Sequence, residues 1–386
     1  MPFGMFCCIF VRPMKTKVLK IDAANIDSAK IDEAVAIIDS GGLVAFPTET
    51  VYGIACRVKG DSLARLDSIK GRAANKYYTL HIGQKSNVGY YVPTIGLKAQ
   101  KLIQGTWPGP LTIVFELDKE DIDKQCKNFE EEVFINLYKN HSIGIRCPDN
   151  TIAAMLLQRT SRPIVAPSAN ITNNPPAVDA AQVLDQLSDR IDLLLDAGPC
   201  KYKRSSTVVK IGKKGMRILR PGIYSQAELE MLSRVQILFV CTGNTCRSPM
   251  AEGIFRKYLA EKMQCNIDEL DKRGYIVGSA GIIDSSGFPA SVEAITACAA
   301  LGVDIKAHRN KVLSSELIEE SDVIFAMERI HRDRVIALEP KAANKCLLLA
   351  GDAGIPDPIG QPQQFYNDCV KLIERAIQKR IGELEI

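Results

Sequence analysis

Residues 236–259 read QILFV-CTGNTCRS-PMAEGIFRKYL. A short apolar run of strand character enters a loop holding two cysteines, a glycine and an arginine. A helical stretch follows, with Pro249 in its first turn. Proline is tolerated there because its missing N–H would have no intrahelical partner. Gly243 and Asn244 accept the positive φ angles that such a tight loop needs. Successive loop N–H groups and the helix N-terminus then converge on one point and favour an anion. A cysteine at that point, Cys241, is expected to have a lowered pKa and to be a thiolate at neutral pH. Arg247 offers a planar fork for two phosphoryl oxygens, and Ser248 offers a hydroxyl to the sulfur. The spacing Cys-x5-Arg-Ser in this frame therefore reads as a nucleophile loop that holds an anion.

Outward from that loop, the pattern alternates strands with helices. After it come the strand-like YIVGSAG, DVIFAM and KCLLLAG, and a final amphipathic stretch, residues 363–384. This is the rhythm of a parallel sheet covered on both faces, a Rossmann-like α/β domain over 235–386. Before it, SQAE at 225–228 is a capping-box pattern that opens a short linker helix within 224–234. Residues 15–223 form a separate α/β domain with a twisted sheet, in which LVAF, LTIVFEL, SIGIR, PIVA and DLLLDAG are strand-like. A helix over 28–40 stops at Gly41-Gly42. Residues 1–14 read as a disordered extension, too short in apolar length to span a bilayer.

The chain has 386 residues, a net charge of +4 and 24% charged residues, ordinary for a globular protein of two or three domains. Its twelve cysteines are scattered, with no CxxC pair to seed a zinc site and no secreted-type framework. The expected compartment is the reducing cytoplasm, with no metal site built by the protein and no membrane partner.

In the first domain, LVAFPTETVYGIA at 43–55 runs from a buried-type strand into a hydroxyl-rich turn, where α/β proteins place ligands. IKGRAANKYYTLHI at 69–82 gathers Lys70, Arg72 and Lys76 beside a helix end, cations at a spacing that suits a triphosphate. TWPGPLT, APSAN, SSTV and LRPG follow in order. Trp107 in the first of these is expected to pack, and His141, His308 and His331 to be surface or structural.

This ordered series resembles the YrdC-like threonylcarbamoyl-AMP synthases. The resemblance implies that Thr48, His81, Arg146 and Ser206 bind threonine. Arg72, Lys76, Ser142, Ser168, Asn170 and Arg220 would bind ATP, with Lys70 nearby. The implied reaction condenses L-threonine, bicarbonate and ATP, with Mg2+ on the phosphates, into threonylcarbamoyl-adenylate for the tRNA-modification machinery. The usual KGRP reads KGRA here, and the usual Pro-Leu before the histidine reads Thr79-Leu80. A non-catalytic module for double-stranded RNA is the rival reading of this domain.

The second domain resembles the low-molecular-weight protein tyrosine phosphatases, through CTGNTCRS, GSAGI at 278–282, HRNKVL at 308–313 and IPDPIG at 355–360. By that resemblance Cys241 is the nucleophile, Arg247 clamps the phosphoryl group, and Asp357 is general acid and then base. Thr242, Gly243, Asn244, Thr245, Cys246 and Ser248 complete the phosphate loop, and no cofactor is needed. Cys246 is either a packing residue or a disulfide partner for Cys241. Phosphotyrosine members carry aromatic residues after Asp-Pro and a larger aliphatic residue at position 245. This chain has Ile359 and Thr245. The expected substrate is a phosphoprotein, with phosphoarginine placed ahead of phosphotyrosine. An arsenate-reductase role is disfavoured, because NKVLSSELIEES holds no cysteine.

Overall fold

A computed structural model describes residues 15–71, 78–212 and 215–384. Residues 1–14, read above as an extension, lie outside the described residues, as do Arg72 and Lys76. The chain divides into two compact units, one of residues up to 229 other than 96–101, the other of 96–101 and 230–386. The division falls inside the helix Gln226–Leu232. Ser225 and Glu228 cap it reciprocally, with the Ser225 N–H on the Glu228 carboxylate at 2.7 Å and the Glu228 N–H on Ser225 Oγ at 3.3 Å. Among the described residues no helix is long and apolar enough to cross a membrane.

The first unit is built on one mixed sheet. Its strands are β1 (Lys17–Lys20), β2 (Val44–Phe46), β3 (Gly53–Arg57), β4 (Thr79–His81), β5 (Leu111–Glu116), β6 (Ser142–Arg146), β7 (Ile164–Val165), β8 (Leu193–Asp196), β9 (Thr207–Gly212) and β10 (Gly215–Arg220). They lie in the order β1-β8-β2-β3-β7-β4-β6-β5-β9-β10. One face is covered by α1 (Ser28–Asp39) and α3 (Thr151–Arg159), with α2 (Gly60–Lys70) between them in sequence. Ile31, Ala34 and Ile38 of α1 recur at helical spacing and pack with Val44, Phe46, Leu193 and Leu195, a core that closes around Leu156. Trp107 is buried and donates its indole N–H to the Leu111 carbonyl at 2.8 Å, so it does pack.

Register aligns the functional residues. His81 on β4 pairs with Arg146 on β6, Arg146 pairs with Thr112 on β5, and Thr112 pairs with Val208 on β9. Paired residues of neighbouring strands share a face. The four side chains therefore form one row across the sheet.

The second unit holds four parallel strands, β11 (Val235–Cys241), β12 (Tyr275–Gly281), β13 (Val323–Ala326) and β14 (Cys346–Leu348), in the order β12-β11-β13-β14. Alternation along β11 sends Val235, Ile237, Phe239 and Cys241 to one core, with Met250, Ile254 and Phe255 of α4 (Arg247–Lys262) and Ile373 and Ile377 of α6 (Gln363–Glu383). Leu238 and Val240 face the opposite core, with Ile318 and with Val335 of α5 (Arg329–Leu338). Both faces are dry, which is why β11 is a continuous apolar run. Cys241 ends that run at the carboxyl edge, where open parallel sheets place their sites.

Candidate active sites

A cavity of about 90 Å³ lies above the His81–Arg146–Thr112–Val208 row and is also lined by Thr48, Ser168, Ser205, Ser206 and Arg220. All four side chains expected to hold threonine thus reach one space, with two of those expected to hold ATP. Arg146 is buried, and its Nη2 donates to Glu49 Oε1 at 2.9 Å and to Thr50 Oγ1 at 2.6 Å. Its Nε–H has no hydrogen-bond partner among the described residues. A buried orphan donor of this kind costs free energy unless a ligand meets it.

His81 donates Nδ1–H to the Thr79 carbonyl at 3.1 Å, because a carbonyl can only accept. Burial, reinforced by the Arg146 charge, pushes its pKa down to about 3, so the ring is neutral. Arg220 donates to the Ser206 carbonyl at 2.9 Å and to Ser206 Oγ at 3.0 Å, and that hydroxyl lies 3.1 Å from Thr112 Oγ1. Burial and then the Arg146 charge lower the Arg220 pKa.

Other expected ligands sit differently. Thr48 lines the cavity, yet its hydroxyl donates to the Val51 carbonyl at 2.6 Å and accepts from the Thr50 and Val51 N–H groups, so it is engaged inside the turn. Lys70 is buried and its Nζ donates to the Ser168 and Asn170 carbonyls at 2.5 and 2.6 Å, which ties the end of α2 to the APSAN segment. The Asn170 amide is satisfied by the Ile171 and Asn174 carbonyls and by Ser168 Oγ. Ser142 does not line this cavity: it starts β6, about 13 Å along the strand from Arg146, and its hydroxyl donates to the Lys139 carbonyl. From sequence, Glu49 and Thr50 fall in the ligand-facing cluster of PTETVYG without a role for either, and Thr112 is not singled out.

In the second unit the loop 242–246 wraps the Cys241 sulfur. Asn244, at φ +52, donates its backbone N–H to Sγ at 3.2 Å. Its amide nitrogen donates to Ser248 Oγ and Ser279 Oγ, each at 2.8 Å, and its amide oxygen accepts from the Lys311 N–H at 2.9 Å. Ser248 Oγ, which accepts from Asn244, lies 2.9 Å from Sγ, and either group can supply the proton between them. His308 Nε2–H donates to the Asn244 carbonyl at 2.8 Å, and Asn310 donates to the Gly243 carbonyl at 3.1 Å. GSAGI and HRNKVL thus act in the structure as the wall of the loop.

Arg247 is 1% exposed at the start of α4. One terminal nitrogen meets the Glu328 carboxylate and the Ile355 carbonyl, and the other meets Asp357 and, at 2.9 Å, Thr242 Oγ1. Of the two expectations for His331, surface or structural, the structural one holds: it is buried. Its Nδ1 accepts from the Glu328 N–H at 3.0 Å, so Nε2 carries the proton and donates to Thr242 Oγ1 at 2.9 Å. Burial and then the Arg247 charge lower its pKa to about 4. With both lone pairs taken by Arg247 and His331, the Thr242 hydroxyl still has its proton to donate.

The expected lowering of the Cys241 pKa is corrected here: burial raises it, against the opposing pulls of Ser248, Arg247 and Asn244. The physical reason is desolvation: Cys241 is 2% exposed, and the water lost costs a thiolate more than those partners return. Two carboxylates, Glu328 and Asp357, also lie on the Arg247 guanidinium. Cys246 is buried at the start of α4, 3.5 Å from Ser291 Oγ and 3.6 Å from the Tyr366 hydroxyl. Thr245 is half-buried, and Ile359 is 63% exposed. No group of three or more His, Cys, Asp or Glu side chains able to hold a metal occurs among the described residues.

The first unit thus holds a cavity beside a buried guanidinium and the second a loop joining a buried thiol to a buried arginine. Residues 36–222 match the Sua5–YciO–YrdC family model, described as telomere recombination, and residues 236–385 match the low molecular weight phosphotyrosine protein phosphatase model. The chain belongs to the threonylcarbamoyl-AMP synthase family through its first domain and carries a low-molecular-weight phosphatase domain after it. Threonylcarbamoyl-AMP synthase from Pyrococcus abyssi is 29% identical over 64% of this chain and 69% of its own. The Bacillus subtilis synthase is 29% identical over 56% of this chain, which spans 61% of that protein's length. A Mycobacterium tuberculosis family member is 34% identical over 50% of this chain and 85% of its own.

Among solved structures, P. abyssi Sua5 complexed with L-threonine is 22% identical over 69% of this chain and 92% of its own, with a TM-score of 0.49. The YwlE arginine phosphatase from Geobacillus stearothermophilus is 33% identical over 39% of this chain and 92% of its own, with a TM-score of 0.34. The low molecular weight protein tyrosine phosphatase from T. tengcongensis is 34% identical over 39% and 99%, with a TM-score of 0.35.

Proposed function

We propose that the first domain makes threonylcarbamoyl-adenylate and that the second hydrolyses phosphorylated protein side chains through Cys241. The observation that carries the first reading is the unpartnered Nε–H of Arg146, which suits the α-carboxylate of an amino acid. The threonine amine captures carbon dioxide as a carbamate, and a carbamate oxygen attacks the α-phosphorus of ATP with loss of pyrophosphate. Such a reaction needs positioning and charge neutralisation rather than a protein nucleophile. Neutral His81 can accept a hydrogen bond from the amino acid at Nε2. Arg220 and Ser168 face the nucleotide, and Arg72 and Lys76 supply further cations by the sequence reading. The donor set is rich in hydroxyls and cations and, among the described residues, holds no acidic cage, which fits a magnesium ion riding on triphosphate oxygens and water. The purified full chain with threonine, bicarbonate, Mg2+ and ATP is expected to release pyrophosphate only when threonine is present. Release independent of threonine would reject the reading.

In the second domain Cys241 gives up its proton and attacks phosphorus as the thiolate, Asp357 protonates the leaving group, and water hydrolyses the phosphocysteine with Asp357 as base. Arg247 and the Thr242 hydroxyl hold the phosphoryl oxygens, and Ser248 donates to the departing sulfur. Phosphoarginine is the proposed substrate. Thr245 offers a hydroxyl to a planar guanidinium, and the exposed Ile359 offers no ring to stack an aryl group. Comparing specificity constants on phosphoarginine and phosphotyrosine peptides tests this; a preference for phosphotyrosine would reject it. Action in a reducing, cytoplasmic compartment is proposed as well, since no disulfide joins the ten described cysteines.

A further inference from the structure

Arg146 owes its orientation to two residues that have no role in the reading above. Glu49 and Thr50 lie in the turn after β2, and the Glu49 and Arg146 side chains are only 2% and 7% exposed. The two hydrogens of Arg146 Nη2 are both taken, one by Glu49 Oε1 and one by Thr50 Oγ1. The second Glu49 oxygen accepts the Asp149 backbone N–H at 3.1 Å, which ties this turn to the chain just after β6. Thr50 is itself fixed. Thr48 Oγ1 donates to the Val51 carbonyl, so across the 3.0 Å contact between the two hydroxyls it is Thr50 that donates to Thr48.

A buried guanidinium that could turn would satisfy every N–H it has, since an orphan donor is costly. Two acceptors on one nitrogen prevent that turn, and Nε–H is left without a partner beside the cavity. The carboxylate also offsets part of the arginine's charge. The site then offers a directed donor rather than a bare cation, which suits a zwitterionic amino acid better than a simple anion.

We infer that Glu49 and Thr50 are a positioning pair that locks Arg146 with its Nε–H facing the cavity, and so sets recognition of the amino-acid substrate. The inference rests on the threonine reading of this cavity. The lock stabilises one guanidinium geometry through neighbours far away in the chain, so a substitution at either acceptor acts on the amino acid and leaves the nucleotide alone.

The test uses the full chain, with calorimetric titration of threonine and, separately, of ATP with Mg2+. Glu49→Ala and Thr50→Val are each expected to weaken threonine binding about tenfold or more. ATP affinity stays within about twofold, and Glu49→Gln, which keeps one acceptor oxygen, is intermediate. The arginine Nε–H resonance of Arg146, assigned by its loss in Arg146→Lys, is expected to exchange slowly in the wild type and fast in Glu49→Ala. Threonine affinity unchanged in Glu49→Ala, equal losses for threonine and ATP, or an Nε–H resonance indifferent to both substitutions would overturn the inference. A wild-type chain that shows the slow Nε–H signal but binds no threonine rejects the substrate reading and leaves the lock standing.

Discussion

The Asp357 carboxylate is ion-paired with the buried guanidinium of Arg247, 110 residues away in the chain, at the mouth of the loop that surrounds Cys241. One residue proposed to protonate the leaving group therefore sits on the residue proposed to clamp the phosphoryl group. Both hydrogens of Arg247 Nη2 are taken, by Asp357 and Thr242, so on the proposed reading a phosphoryl group would displace Asp357 to reach that nitrogen.

Release of Asp357 makes its role dependent on the leaving group. Asp357→Ala is expected to slow an alkyl phosphate about a hundredfold or more, and p-nitrophenyl phosphate less than about tenfold. Phenolate with an electron-withdrawing substituent leaves without a proton; an alkoxide does not. Steady-state rates on the two substrates check this, and equal slowing would remove Asp357 from proton transfer.

The ionisation of Cys241 gives a second measurement. Because its pKa is raised, the thiol is mainly protonated at neutral pH, and its alkylation by iodoacetamide should climb as pH rises above the ordinary thiol range. Removing either carboxylate from Arg247 frees the cation to stabilise the thiolate. Asp357→Asn and Glu328→Gln are each expected to speed alkylation at pH 7 about three- to tenfold. Mass spectrometry of the Cys241 peptide over time reads the rate.

Asn244 joins the loop to three other segments with a side chain that has no unsatisfied group. Asn244→Ala deletes its bonds to Ser248, Ser279 and the Lys311 N–H, and leaves a β-carbon at φ +52. A loss of about 2–4 kcal/mol in local stability is expected. In hydrogen exchange, amides of residues 243–248 should speed up by a factor of about thirty to a thousand, with β5 and β6 of the other unit unchanged.

Two buried histidines make folding sensitive to acid. His81 and His331 have pKa values near 3 and 4, below the unfolded value of about 6.5. Between those limits the unfolded chain binds more protons than the folded one. Stability therefore rises with pH across that window and is lost as pH falls from about 6.5 toward 4. His331→Asn should flatten the acid limb of the melting-temperature profile for the phosphatase unit, and His81→Asn that of the synthase unit.

Much of the chemistry was legible because it lies in contiguous segments. CTGNTCRSP carries its own strand, loop and helix start, so Cys241, Asn244, Arg247 and Ser248 fall together whatever surrounds them. PTETVYG and APSAN are equally local, and they place Thr48 and Ser168 on one cavity. Ser142 shows the limit: it belongs to the same strand as Arg146, yet strand length carries it away from the cavity. His331 shows another, since nothing in RIHRD distinguishes an exposed ring from one buried against Thr242.

By itself, the sequence determined which groups are present, the order of the motifs and the two α/β domains that carry them, because hydrophobic alternation and turn residues act over a few positions. The tertiary structure alone decided the partners of the two arginines. Arg146 meets Glu49 at a separation of 97 residues, and Arg247 meets Glu328 and Asp357 at 81 and 110. Those partners hold both guanidiniums in place and leave the Nε–H of Arg146 without a partner among the described residues. Burial and charge compensation depend on distance in space, and strand register, not spacing along the chain, sets that distance.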